Sequence, residues 1–71
     1  MGFETRVLEI VEPQLGDTGV AGFSYGTLFV DNITEQQAKS VREVLVNSTD
    51  IKCNIEVNRI GQTSEYAYDF V

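Results

Sequence analysis

Histidine is absent, and cysteine occurs once, as Cys53. No disulfide can close within the chain, and one thiol cannot build a zinc cage of cysteine and histidine ligands. Without an imidazole to act as its base, Cys53 reads as a buried structural thiol rather than a nucleophile. Apolar runs are short, with none near the ~18 residues that cross a bilayer, so no membrane association is expected. Basic side chains are few, five against eleven acidic ones, for a net charge of −6. Four of them, Lys39, Arg42, Lys52 and Arg59, are interleaved with Glu43, Asp50 and Glu56 and form no unbroken patch. Nucleic acid is therefore disfavoured as a partner, because phosphate binding needs a basic stripe.

What is present describes a folded protein. Hydrophobic residues make up 42% of the chain, enough for a core, with one proline and no repeat or low-complexity tract. Residues 1–71 suffice for one small domain, and a chain this short buries only about 60% of the surface its unfolded form exposes. Small domains add disulfides, metals or partner subunits; an internal disulfide is excluded here and a cysteine–histidine metal site nearly so. Self-association is the supplement that remains. The opening Met-Gly-Phe-Glu-Thr-Arg carries charge early, unlike a secretory leader, and the expected location is cytoplasmic.

Residues 3–12 are the first expected strand, with Val7, Leu8, Ile10 and Val11 falling on both faces of a period-two pattern. Pro13 ends it, and residues 13–22, rich in glycine, are expected to form a mobile loop. Residues 23–30 are the second strand: Phe23, Tyr25, Thr27 and Phe29 share one face, and Gly26 marks a bulge. Thr34 and Gln37 form a capping box opening a helix over residues 35–47, with Ala38, Val41, Val44 and Leu45 on its buried stripe. Asn47 is the expected left-handed cap. Residues 51–60 alternate Ile51, Cys53, Ile55 and Val57 against polar neighbours, and residues 64–71 alternate Tyr66, Tyr68 and Phe70 against theirs, giving strands three and four. The expected fold is thus α+β in the order β-β-α-β-β. A mainly antiparallel four-stranded sheet carries one helix on one face, with spatial order 2-1-3-4 favoured over 1-2-3-4.

Three groups of residues qualify as candidate sites. Phe23, Tyr25, Phe29, Tyr66, Tyr68 and Phe70 offer either core packing or an interface, and an open, partly apolar sheet face gives a small domain reason to hold a partner. The loop residues Gly16, Asp17, Thr18 and Gly19 are similar to the Asp-Thr-Gly motif of aspartic proteases. The hydrophobic residues that flank that family's motif are missing, and one chain supplies only one Asp. As a phosphate cradle the loop lacks a lysine and opens no helix. The carboxylates Glu9, Glu12, Asp17 and Asp31 have no spacing that pairs them for acid–base work, and solvated surface charge is their default reading.

The acidity, the Asn/Ile/Glu-rich composition and the short capped helix beginning Asp31-Asn-Ile-Thr-Glu-Gln-Gln-Ala resemble those of short uncharacterised proteins of marine bacteria and their phages. That resemblance transfers no functional residue; it brings to mind the small acidic phage proteins that bind host enzymes or imitate DNA. The expected function is a non-enzymatic protein-interaction domain, without cofactor or metal, whose partner is a second copy of itself or another protein. An acidic inhibitor or DNA mimic is the first alternative, and a small-ligand binder or enzyme built on the 13–22 loop is the second.

Overall fold

The N-terminal segment is a helix. The computed structural model describes residues 2–71, and in it α1 spans Phe3–Val11. The apolar residues that suggested a two-faced strand also fit a helical stripe: Val7 and Val11, four apart, are fully buried, with Leu8 and Ile10 packed partly beside them. The N-cap is Gly2, which offers no capping side chain, so the usual start signal is missing. Pro13 sits in a single 3-10 turn, Glu12–Gln14, that ends the helix.

The expected second strand is a hairpin. β1 (Val20–Ser24) and β2 (Thr27–Asp31) flank the turn residues Tyr25 and Gly26, whose φ angles are +52° and +80°. Two successive positive φ values define the tight turn that matches strand twist, so Gly26 serves a reversal rather than a bulge. Part of the expected 13–22 loop is therefore strand.

Helix α2 (Glu35–Val46) begins as expected. The Thr34 hydroxyl accepts from the Gln37 amide at 3.1 Å, and the Gln37 side chain accepts from the Thr34 amide at 2.8 Å. Ala38, Val41 and Leu45 are buried along one stripe, while Val46 lies off it and is exposed. Asn47 does not enter the left-handed region; at φ −82° its amide still makes the α-helical bond to the Glu43 carbonyl, and only the Ser48 amide, donating to the Leu45 carbonyl, tightens the end. Replacing Thr34 by alanine is expected to cost about 1 kcal/mol, read as a lower urea midpoint with an unchanged slope.

β3 (Ile55–Arg59) and β4 (Tyr66–Phe70) complete an antiparallel sheet of order β1-β2-β4-β3. This corrects the expected 2-1-3-4 order, and the described residues form two α-helices rather than one. β2 and β3 each run antiparallel to β4, so α2 carries the chain across the place that β4 later fills. The third strand starts later than expected, because residues 51–54 form the link from α2. Ile51 plugs the core at 7% exposure, whereas Cys53 falls on the outer side of the link and is exposed, not buried.

Both helices lie on one face of the sheet. Val7, Val11, Leu28, Val30, Val41, Leu45 and Tyr68 are its fully buried side chains. Among the described residues no buried side-chain polar atom lacks a partner, and no helix is long and apolar enough to cross a membrane.

Candidate functional site

Register and period-two alternation assign every strand residue to a face. Leu28, Val30, Tyr66 and Tyr68 point to the helices. Their register partners Ala21 and Phe23 on β1, and Val57 and Arg59 on β3, point the same way. The six aromatics named from sequence therefore do not form one patch. Tyr66 and Tyr68 are core, and the Tyr68 hydroxyl donates to the Ala38 carbonyl of α2 at 2.9 Å. Phe23 stacks on Phe70 with ring centroids 6.1 Å apart, and Phe3 of α1 meets Phe70 edge-on at 5.3 Å. Phe29 alone of the six occupies the opposite, open face. Tyr25 stands fully exposed at the hairpin tip, in a backbone region that costs a bulky residue about 1 kcal/mol or more.

Tyr68 also sets a limit at alkaline pH. Burial, reinforced by the neighbouring Tyr66, raises its phenol well above the ordinary 10.0. Below pH 10 the phenol is protonated in both folded and unfolded chains and this contribution to stability is complete. Above pH 10 only the unfolded chain ionises, so stability falls as pH rises. Unfolding free energy is expected to decline above about pH 10, and Tyr68→Phe to make that decline shallower in alkaline urea titrations.

The Gly16–Gly19 loop is occupied with structure. Gly16 takes φ +70°, the Gly19 amide donates to the Leu15 carbonyl, and Gln37 Nε2 donates to that same carbonyl at 3.1 Å. The Thr18 carbonyl accepts from Asn32 Nδ2 at 3.1 Å. Asp17 is exposed, and the groove beside the loop has Glu12 as its single ionisable lining residue. No set of converging polar groups, such as catalysis or a phosphate requires, is assembled there. Of the remaining carboxylates named from sequence, Glu9 lies 3.7 Å from Arg6 on α1, and Asp31 ends β2. No three metal-ligating side chains cluster among the described residues.

The open face has a different character. Its positions are Val20, Gly22 and Ser24 on β1; Thr27, Phe29 and Asp31 on β2; Ala67 and Asp69 on β4, with Glu65 just before; and Glu56 and Asn58 on β3. Phe29 and Ala67 are paired at its centre, with the bare backbone of Gly22 on Phe29's other side and Val20, 65% exposed, one rung away. Around them stand four carboxylates: Asp31, Glu56, Glu65 and Asp69. Among the described residues no lysine or arginine shares the face. Arg6, Lys39 and Arg42 ride on the helices, Lys52 on the link before β3, and Arg59 on the helix side with its guanidinium 6.0 Å from the Tyr66 ring.

Two of these acids, Glu56 and Asp69, are direct cross-strand partners. Like charges in that position are destabilising. Asp69 also accepts from the Thr27 hydroxyl at 2.7 Å, which fixes it on this face. No protein-family model, no curated protein and no solved structure matches the chain. The surface itself therefore carries the functional reading. Sequence alternation in strands three and four marked their wet faces, but only the β2–β4 pairing brings the acids of both hairpins around Phe29.

Proposed function

We propose that this chain is a small non-enzymatic protein-interaction domain, an accessory subunit that holds a basic partner on its open sheet face. The observation that carries the reading is the exposed Val20 and half-buried Phe29, beside the buried Ala67, rimmed by four carboxylates with no lysine or arginine among the described residues on the face. Apolar centres with polar rims suit protein contacts, and one-signed charge steers a partner of opposite sign. The same acidity supports a foreign partner over face-to-face stacking of two copies, which would set carboxylate against carboxylate. An exposed free thiol at Cys53 suits the reducing cytoplasm, where we place the protein.

The like-charge rung supports the reading energetically. Glu56→Lys, opposite Asp69, is expected to raise stability by about 0.2–1 kcal/mol while weakening partner binding. Stability gained together with binding lost is the signature of charge kept for function. The test compares amide spectra of labelled protein in buffer and in concentrated lysate of the producing cells. Selective attenuation at Val20, Phe29 and Ala67, relieved in Glu56→Lys, is expected. Uniform attenuation over all elements contradicts the proposal.

The one-sided acidity also favours a second reading, a carboxylate surface that occupies a nucleic-acid site on a basic protein. Under it, binding weakens steeply with added salt and double-stranded DNA competes with the domain for its partner.

A further inference from the structure

The two sheet edges differ in chemistry. β3 carries Glu56 and Arg59, whereas β1, Val-Ala-Gly-Phe-Ser, has no charge and no proline. Natural edges are protected by such residues against added strands, and β1 lacks them. The two-residue turn makes Ser24 and Thr27 the pair that exchanges both ladder hydrogen bonds, and alternation extends the pattern through Gly22–Phe29 and Val20–Asp31. The amides and carbonyls of Ala21 and Phe23 therefore point off the sheet. At Gly22, between them, a Cβ built on the backbone would meet no atom within 4 Å, so the open side of this edge is a notch.

A groove runs along the open face of this strand, bounded by Phe29, Asp31 and Glu65, and a second lies at the start of the strand, where Glu12 and Leu15 flank Val20 and Ala21. Every ionisable side chain lining either groove is a carboxylate. An added strand projects successive side chains alternately to the two faces, so those on one face enter the open-face groove and one beside Ala21 reaches the second. We propose that β1 is a docking edge for an extended segment of another protein. The segment pairs with the outward backbone groups of Ala21 and Phe23 and presents lysine or arginine to Asp31 and Glu65 on one side or Glu12 on the other. A second copy of the chain fits poorly, because its own β1 has no cation to offer. The inference rests on the interaction reading above and adds the mode of contact and the chemistry of the partner.

The test uses the full chain, labelled for amide detection, with two short peptides as probes, one alternating valine and lysine and one alternating valine and glutamate. The lysine peptide is expected to shift the Ala21 and Phe23 amides and slow their hydrogen exchange, and to bind at least roughly tenfold more tightly than the glutamate peptide. Ala21→Pro removes an outward N–H without touching the β1–β2 ladder and is expected to abolish binding with the fold retained. The double variant Asp31→Lys with Glu65→Lys is expected to prefer the glutamate peptide, which keeps the test decisive should the proline variant not fold. Equal binding of both peptides, or none by either, overturns the proposal. Lysine-peptide shifts confined to Phe29 and Ala67, undiminished in Ala21→Pro, overturn strand pairing but leave the interaction domain standing. Concentration-dependent shifts at Ala21 and Phe23 without any peptide assign the edge to a second copy and also overturn it. Failure of the interaction reading itself shows separately, as uniform attenuation in the lysate spectra.

Discussion

Replacing Tyr68 by alanine is expected to remove about 3–5 kcal/mol, a large share of the stability of this small domain. The ring is wholly buried, its strand is central with β2 and β3 on either side, and its hydroxyl reaches across the core to the Ala38 carbonyl. Truncating a buried large aromatic residue costs about 3–5 kcal/mol, because the lost apolar transfer is compounded by a cavity. A chain of 71 residues has about 4–11 kcal/mol to lose at ordinary stability per residue. Tyr68→Phe separates the two contributions. It keeps the ring and removes one hydrogen bond, with an expected cost of about 1 kcal/mol. Urea denaturation followed by circular dichroism measures both. A loss below about 1 kcal/mol in Tyr68→Ala contradicts the assignment of this tyrosine to the core. Phe29→Ala, two residues along from a turn and on the open face, serves as the contrast and should remain folded.

Gly19→Ala is expected to cost about 1–3 kcal/mol, near the upper end of that range. A Cβ at this position would lie 2.6 Å from the Leu15 carbonyl oxygen, 2.7 Å from the Leu15 Cβ and 2.9 Å from Ile33 Cγ2. The obstacle is backbone and buried side chain, since Leu15 and Ile33 are each 4% exposed, so no flexible tip can swing aside. The close approach lets the chain pass from the 3-10 turn into β1 beneath the exit of β2. Gly16 depends instead on its φ of +70°, and a Cβ there would meet only the Gln37 side-chain nitrogen, at 3.2 Å. Thermal melts of Gly19→Ala and Gly22→Ala compare a crowded with an open glycine. Equal, small changes in both contradict the packed description of the loop.

The parts of this fold that were legible in the sequence carried redundant signals. Helix α2 had both a capping box and a 3-and-4 apolar stripe, and the hairpin of β3 and β4 had clean alternation on both strands. These elements gave a correct antiparallel β3–β4 hairpin with helical cover, whereas the remaining two strands were expected over residues 3–12 and 23–30 and lie instead at Val20–Ser24 and Thr27–Asp31. Helix α1 was hidden because Val7, Leu8, Ile10 and Val11 satisfy two periods at once and Gly2 supplies no cap. The β1–β2 turn was hidden because tyrosine is an unusual residue at its first position, where asparagine is preferred, so Tyr25-Gly26 did not read as a reversal. Missing that turn merged two strands into one, which the misread α1 offset, so the count of four held while the loop and the sheet order moved. It also put Tyr66, Tyr68 and Phe29 in one undivided aromatic set, when pairing of β2 with β4 sends them to opposite faces. Cys53 was misjudged for a local reason: alternation was extended back through residues 51–54, which are link and not strand.

The open face was half legible. Its acids were visible as the wet positions of β3 and β4, but their assembly around Phe29 depends on strand order, which alternation does not encode. Under the proposed function this surface serves a basic foreign partner and does not close upon a second copy. Sedimentation equilibrium across a hundredfold dilution, at low and at high salt and with reductant to keep the exposed Cys53 from cross-linking, tests it most directly. A monomer at every concentration and both salts is the predicted result. A dimer that tightens as salt screens the facing carboxylates would contradict it.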